Sequence, residues 1–447
     1  MDKDEILFII NSELIDISKI KLLLSGLNII DIAEILQELD KEKITRIFRV
    51  LPKNIASDVF AYMDSDYQQI IIEALTDTEI GEIMSKLFMD DTVDFIEEMP
   101  ANVVNRVLEN LPAEKRKLIN QILQYPEDSA GSIMTTEYVH LSENTEVHDA
   151  FEIIRKTGLN KETIYTCYVT CDDRLLLGVV SAKDLLLARP AERIGEIMDT
   201  APIFAYTTDD REVTAEQFHK YGLLAMPVVD KEKRLVGIIT VDDIVNVIVE
   251  ENTEDIEKMG ALAPSDEPYL KTGIFQLARN RIFWLLALML SATLTSIIIS
   301  NYEARMVAIP ILMVFIPLLM DTGGNAGSQT STLIIRGMAV GELFPKDIVR
   351  ILWKEFRIAL LVGLGLGIVN MIWVYVIYGQ DLMLSFAVTM TLYSTLIIAK
   401  ILGSILPIVA RCIKIDPAVM AAPMITTIVD ALSLIIYFAI AKAILGL

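Results

Sequence analysis

Asp416-Pro-Ala-Val-Met-Ala-Ala-Pro-Met-Ile-Thr-Thr-Ile-Val-Asp430-Ala-Leu-Ser-Leu-Ile-Ile-Tyr-Phe438 is an apolar segment that keeps one carboxylate, Asp430, deep inside it. A carboxylate at membrane depth costs several kcal/mol unless it faces water, a partner or an ion, so it marks a functional position. Working outward, apolar stretches cover residues 281–300, 307–337, 356–379, 383–412 and 418–446. Each reaches the roughly 20 residues that cross a bilayer as a helix. Arg279, Arg281, Arg336, Lys346, Arg350, Lys354, Arg357, Arg411 and Lys414 all fall on one set of flanks, against Glu303, Arg305 and Asp381 on the other. The positive-inside rule then places the N-terminus in the cytoplasm and the C-terminus outside a cell (plasma) membrane.

The second stretch is interrupted by Asp321-Thr-Gly-Gly-Asn-Ala-Gly-Ser-Gln329-Thr-Ser-Thr332. This composition predicts a break in the helix, and irregular backbone at membrane depth requires protein or a watery cavity beside it. Asn325, Gln329 and Thr332 either join helices through hydrogen bonds or, with Asp430, line a polar path. Lys400 lies mid-way along the fourth stretch. It would oppose a cation in the path, pair with Asp430 or Asp321, or snorkel to an interface.

The rest of the chain is acidic. Residues 280–447 hold 11 of the 39 basic and 8 of the 61 acidic residues, so the net charge of −22 divides into about −25 before residue 280 and +3 after it. That balance argues against a nucleic-acid partner and favours cations, because clustered carboxylates repel until something neutralises them. Three cysteines and three histidines exclude a disulfide framework and argue against a zinc site. Cys167 and Cys171 read as packing residues of a strand. Met1-Asp-Lys-Asp-Glu lacks the basic start of a signal peptide. With no His-Glu-x-x-His and no nucleophile–base pairing, an enzyme is not expected.

Residues 1–128 carry a helical period, for example Ile32, Ile35-Leu36 and Leu39, then Ile44, Ile47-Phe48 and Val50-Leu51. Leu51-Pro52, Met99-Pro100 and Leu111-Pro112 punctuate it, predicting stacked helices in a superhelical array. Residues 135–254 change to a β-turn-β-α pattern that occurs twice. Leu175-Leu-Leu-Gly178-Val-Val-Ser181-Ala-Lys-Asp184 returns fifty-nine residues later as Arg234-Leu-Val-Gly237-Ile-Ile-Thr240-Val-Asp242-Asp243. This resembles tandem CBS domains, one over 135–200 and one over 201–254. In that family Ser/Thr and Asp at these places bind an adenosine nucleotide such as ATP, which would make Ser181, Asp184, Thr240 and Asp243 candidates. Alternatively they cap the following helix. A connecting helix is expected from residue 244, with its linker reaching 275.

Taken together, Pro317-Leu-Leu-Met-Asp-Thr-Gly-Gly-Asn-Ala-Gly-Ser-Gln329, Thr426-Thr427-x-x-Asp430 and Tyr125-Pro-Glu-Asp-Ser-Ala-Gly-Ser-Ile-Met-Thr-Thr-Glu-Tyr138 resemble the MgtE family of magnesium transporters, over nearly the whole chain. The resemblance implies a multi-domain protein: an all-α superhelical Mg²⁺-sensing N-domain, an α/β tandem CBS module, a connecting helix and a pore domain of five spans over 280–447. It implies a homodimer in the lipid bilayer that admits Mg²⁺ to the cytoplasm and closes when cytoplasmic sites fill. Asp430 takes the place of the family's pore aspartate, helped by Thr426 and Thr427. Asp58, Asp90, Asp94, Asp210, Glu212, Asp243, Glu251, Glu254 and Asp255 take sensor positions, while Gly222 and Asn246 stand at two that are acidic in the family. Transport of Co²⁺ or Mn²⁺, or a membrane-anchored nucleotide sensor, are the alternatives.

Overall fold

Proline opens three of the N-terminal helices, because a residue with fixed φ and no N–H fits just before a helix's first turn. Pro52, Pro100 and Pro112 each occupy the N-cap position. The computed structural model describes residues 6–7, 10, 17–24, 26–265, 269–308, 310–378, 381–420 and 422–446. It contains two compact units, residues 1–248 and 249–447.

The first unit begins with α1 (Ile17–Leu24), α2 (Ile29–Gln37), α3 (Lys41–Phe48), α4 (Lys53–Ala61), α5 (Ser65–Ala74), α6 (Asp77–Met84), α7 (Met89–Glu98), α8 (Ala101–Asn110) and α9 (Ala113–Ile122). From α2 onward each helix packs on the one two places further along: α2 on α4, α3 on α5, and so to α7 on α9. Short links and short helices leave no other way to bury the apolar stripes, and the result is the expected superhelix. Arg106 ties the rows together, donating to the carbonyls of Ile72 at 2.9 Å and Leu75 at 2.7 Å and to Asp77 at 2.9 Å.

Two three-stranded sheets follow, each with one parallel and one antiparallel pairing: β1 (His140–Leu141), β2 (Thr166–Thr170) and β3 (Leu176–Ser181), then β4 (Ala205–Tyr206), β5 (Ala225–Val229) and β6 (Leu235–Thr240). Their helices are α10 (Val147–Thr157), α11 (Ala182–Leu187) and α12 (Ile194–Ile197) in the first copy, and α13 (Arg211–Tyr221) in the second. The copies meet at their hairpins: Leu176 N–H donates to Lys233 O and Leu235 N–H to Arg174 O, at 3.0 and 2.8 Å. Arg174 and Lys233 hold equivalent left-handed turns, φ 61° and 63°. The second copy shares one apolar core with the helical array, in which Phe60, Phe95 and Val107 join Phe218, Met226 and Ile239.

The helix α14 (Val241–Met259) starts at Val241, directly after β6 and three residues earlier than expected. It ends at Met259, where Gly260 and the left-handed Ala261 (φ 55°) turn the chain. The second unit then holds α15 (Ile274–Ala308), α16 (Leu312–Ala339), α17 (Ile348–Ile377), α18 (Leu382–Cys412) and α19 (Ala422–Leu445). Among the described residues four of these helices, α15, α17, α18 and α19, lie in segments long and apolar enough to cross a membrane. The fifth, α16, has 28 residues, about 42 Å of helix, with a polar centre.

The break expected in α16 is absent: the helix is continuous from Leu312 through the glycine run to Ala339. The glycines serve close packing instead. A Cβ added at Gly323 would lie 2.6 Å from Thr395 Cγ2, one at Gly324 2.6 Å from Thr426 Cγ2, and one at Gly327 2.7 Å from Ile425 Cγ2. At Gly403 of α18 the obstacle is the Gly327 carbonyl itself, 2.4 Å away. Helices in lipid gain little from apolar burial and hold together by such backbone approach.

Candidate functional site: a polar helix face and a carboxylate cluster

Continuous helicity places Asp321, Asn325, Gln329 and Thr332 at steps of four, four and three, on one face of α16. All four are exposed on the single chain, while the opposite face (Gly323, Ala326, Gly327, Thr330, Ile334) is buried. Asp430 on α19 is half-buried and lies within electrostatic range of Asp321. The structure thus brings Asp430 to the carboxylate at one end of the polar face.

Thr426 and Thr427 sit one turn before Asp430. Their hydroxyls donate to carbonyls of their own helix, Thr426 to Ala422 at 2.8 Å and Thr427 to Pro423 at 3.0 Å. Each hydroxyl proton is therefore engaged, and the oxygen lone pairs are what remains. That is the polarity a hydrated cation requires, since its water shell presents hydrogens outward. Mg²⁺ dehydrates reluctantly and is held through such a shell.

Lys400 does not reach this face. It is buried between helices, donating to Thr330 Oγ1 at 3.1 Å and to Glu355 Oε2 at 3.3 Å. Glu355 was missed by sequence reasoning because it neighbours Lys354 at what read as a flank. A signal was present: Ile351, Glu355, Ala359, Gly363 and Gly367 follow each other at steps of four, and all five are buried on α17.

In the first unit carboxylates crowd where α7 meets the start of α14 and the loop before β2. Asp90 is almost wholly buried; burial, then Asp243, Asp91 and Glu162, pushes its carboxyl well above the ordinary range. Asp91 is pushed up to about 6 by burial and by Asp243 and Asp58. Glu162 is pushed up to about 8 by burial and by Asp243, Asp91 and Asp242. Asp94 is raised to about 7 by burial and by Asp91 and Asp243. Its side chain is exposed, so water screens it more than the buried Asp90. Burial also raises Asp58 and Asp243. Lys86 acts on Asp58 and Lys115 on Asp90 and Asp91; the Lys115 ammonium already donates to the carbonyls of Met84 and Leu87, at 2.7 and 2.6 Å.

The structure brings together the expected Asp58, Asp90, Asp94 and Asp243, and adds Asp91, Asp242 and Glu162. All the donors are hard oxygens, and Glu162 Oε2 is buried with no hydrogen-bond partner among the described residues. The set suits a hard divalent cation. Among the described residues, however, no three such side chains converge as a ready-made metal site; the acids are crowded rather than chelating.

Other expected positions are engaged locally. Asp210 caps α13, its Oδ1 accepting from the N–H groups of Glu212 at 2.8 Å and Val213 at 3.4 Å, and Glu212 is exposed in that first turn. Gly222 ends the same helix in a left-handed turn, φ 62°, where glycine is the least strained residue. Asn246 is exposed on α14. Ser181 and Asp184 form a reciprocal capping box at α11, and Thr240 Oγ1 donates to Asp243 Oδ2 at 2.6 Å. Glu251, Glu254 and Asp255 are half-buried along α14. Lys258 there donates to Glu254 and, at 2.7 Å, to Asp416 in the loop before α19. Burial alone would lower the Lys258 ammonium, but these hydrogen bonds outweigh it and hold it above its ordinary value. Burial and then Asp416 raise the carboxyl of Asp255.

Comparison with known proteins defines the class first. Residues 316–440 match a family described as a divalent cation transporter, residues 27–128 match the MgtE intracellular N domain, and residues 130–191 and 194–250 each match the CBS domain. The magnesium transporter MgtE of Bacillus subtilis (strain 168) is 32% identical over 413 residues, covering 92% of this chain and 91% of its own. That of Thermus thermophilus is 34% identical over 419 residues, covering 93% and 92%. The chain therefore belongs to the MgtE family, a family of magnesium transporters and not of enzymes. A crystal structure of the cytosolic domain of the Mg²⁺ channel MgtE in complex with ATP is 32% identical, spanning 52% of this chain and 95% of that one, with a TM-score of 0.50. The soluble part of a magnesium transporter is 26% identical, spanning 56% and 99%, with a TM-score of 0.52.

Proposed function

We propose that this chain is a channel-like Mg²⁺ transporter that admits the ion to the cytoplasm past Asp430 and the polar face of α16. The observation that carries this reading is an exposed polar stripe, Asp321 to Thr332, on a helix whose other face is packed, with Asp430 in electrostatic range. A stripe of that kind cannot rest against lipid at low cost, so it faces a second copy and water; a homodimer with its two Asp430 side chains near one axis satisfies this. In this reading all five helices cross the plasma membrane, the N-terminus is cytoplasmic, and oxygen donors without His or Cys favour Mg²⁺ over softer metals.

The carboxylates of the first unit act as sensor sites, and so, within the second unit, do Glu251, Glu254 and Asp255 of α14; each group acts among its own members. Without Mg²⁺ they repel one another; bound Mg²⁺ neutralises them and stabilises the closed arrangement. Crowded acids without a preformed cage suit an ion retained with much of its water, and so a sensor of modest affinity. ATP or another adenosine nucleotide is a further ligand of the CBS module, at Ser181 and Asp184 or at Thr240 and Asp243. A nucleotide would have to displace the present Ser181–Asp184 and Thr240–Asp243 hydrogen bonds.

The test is Mg²⁺ uptake in a magnesium-auxotrophic bacterial strain expressing this chain or Asp430→Ala, at matched membrane levels. Growth at low Mg²⁺ with the parent and none with the variant supports the ion path. Failure of both, with both inserted, overturns it.

A further inference from the structure

Three helices of the second unit meet at one buried polar point. Lys400 of α18, Glu355 of α17 and Thr330 of α16 are all more than nine-tenths buried. Lys400 Nζ donates to Glu355 Oε2 at 3.3 Å and to Thr330 Oγ1 at 3.1 Å, and Thr330 Oγ1 lies 3.1 Å from the same Glu355 oxygen. At this depth neither charge can stand alone: a buried charge stripped of its partner has no water to replace it. One turn away on α16 and α18 lie Gly327 and Gly403, whose backbones touch. On the other side of α16, Gln329 and Thr332 flank Thr330 in sequence and belong to the exposed polar face.

We propose that the Lys400–Glu355 pair is a positioning device that fixes the rotation of α16 through Thr330, and so sets which α16 side chains border the ion path. The inference rests on the transport reading above. Turning α16 about its axis would pull Thr330 out of the pair and carry Gln329 and Thr332 off the exposed face. The close Gly327–Gly403 contact fixes the separation of α16 and α18, while the pair fixes the angle, which a glycine seam alone leaves free. Lys400 is then no barrier in the path, because its charge is consumed by Glu355.

The experiment uses the full-length chain and four forms: parent, Lys400→Met, Glu355→Leu, and the double variant. Mg²⁺ uptake is measured against Mg²⁺ concentration, and thermal melting in detergent is measured on the same preparations. Each single variant is expected to melt lower and, per folded molecule, to need roughly tenfold more Mg²⁺ for half-maximal uptake, the size of one misplaced polar contact. The double variant is expected to recover melting, since an apolar pair of similar volume leaves no orphaned charge, but not half-saturation, because the tie to Thr330 is gone. Parental half-saturation in the double variant would overturn the positioning claim. Unchanged half-saturation per folded molecule in the singles would reduce the pair to a purely structural role and overturn the positioning claim. Faster uptake by Lys400→Met, whatever stands at 355, would place Lys400 in the path and overturn it as well. If the folded parent moves no Mg²⁺, the transport reading fails on its own; the melting data still decide the pair, and additive losses in the double variant would refute it.

Discussion

The two units treat buried charge in opposite ways. In the membrane unit Lys400 answers Glu355 within 3.3 Å. In the first unit Asp90, Asp91, Glu162 and Asp243 press on one another, and Lys115, the ammonium that acts on Asp90 and Asp91, is committed to two carbonyls. Lipid allows no uncompensated charge that lacks a watery face, so the membrane unit carries its own counterion wherever a group is fully enclosed. The first unit lies outside the apolar helices and can leave its compensation to water and dissolved cations. A structure that lacks an internal counterion responds to the concentration of an external one, which is the physical content of sensing.

The contrast breaks most sharply at Asp430, a half-buried carboxylate in the membrane unit that forms no ion pair among the described residues. Asp430→Asn is expected to abolish Mg²⁺ uptake while leaving insertion and melting near parental; uptake preserved in this variant would remove Asp430 from the path. Replacing Asp91, Asp94 and Asp243 together by Asn is expected to do the reverse. Uptake should persist but no longer fall as internal Mg²⁺ rises, which flux measurements at clamped internal Mg²⁺ would reveal. Gly403→Val tests the seam beneath the ion pair. With the Gly327 carbonyl 2.4 Å from the added Cβ, overpacking of about 1–3 kcal/mol should lower the melting temperature of the membrane unit and reduce uptake with it.

A smaller effect concerns pH in the absence of divalent ions. The carboxyls of Asp91 and Glu162 are raised to about 6 and 8, so the folded state binds more protons than the unfolded one between their ordinary values and these. Stability of the first unit is then greatest below about pH 4 for these groups and falls as pH rises towards 8. In EDTA the melting temperature should drop across that window by about 2–4 °C for each kcal/mol lost, and saturating Mg²⁺ should flatten the profile. Equal slopes with and without Mg²⁺ would show that the cluster does not bind it. The smallest change is expected from Asp210→Ala, which removes a helix cap worth ~1 kcal/mol. It should shift melting slightly and leave Mg²⁺ control intact; loss of control would return Asp210 to the sensor.

Much of this was legible along the chain because it depends on local chemistry. Pro52, Pro100 and Pro112 can only precede helices, and the hairpin turns at Arg174 and Lys233 recur with the fifty-nine-residue repeat. Of the two readings given to Ser181 and Thr240, the geometry displays a cap at Ser181 and a hydroxyl bonded to Asp243 at Thr240. The glycine run in α16 was misread because composition does not distinguish a glycine that breaks a helix from one that admits a neighbour. Asp91, Glu162 and Asp242 were overlooked because each is an ordinary acidic residue in its own segment.

By itself, then, the sequence determined the order of the parts, the apolar helices, the acidic excess before residue 280, and the lone carboxylate at 430. Periodicity, turn chemistry and hydropathy are properties of consecutive residues and survive without a partner. Only the tertiary structure decided that Lys400 is answered by Glu355, that Thr330 joins them, that α16 runs unbroken, and that acids from four separate segments share one crowded place. Those facts depend on distances between residues far apart in the chain. Burial and Coulomb interaction, which turn such distances into energy, act only once the chain has folded.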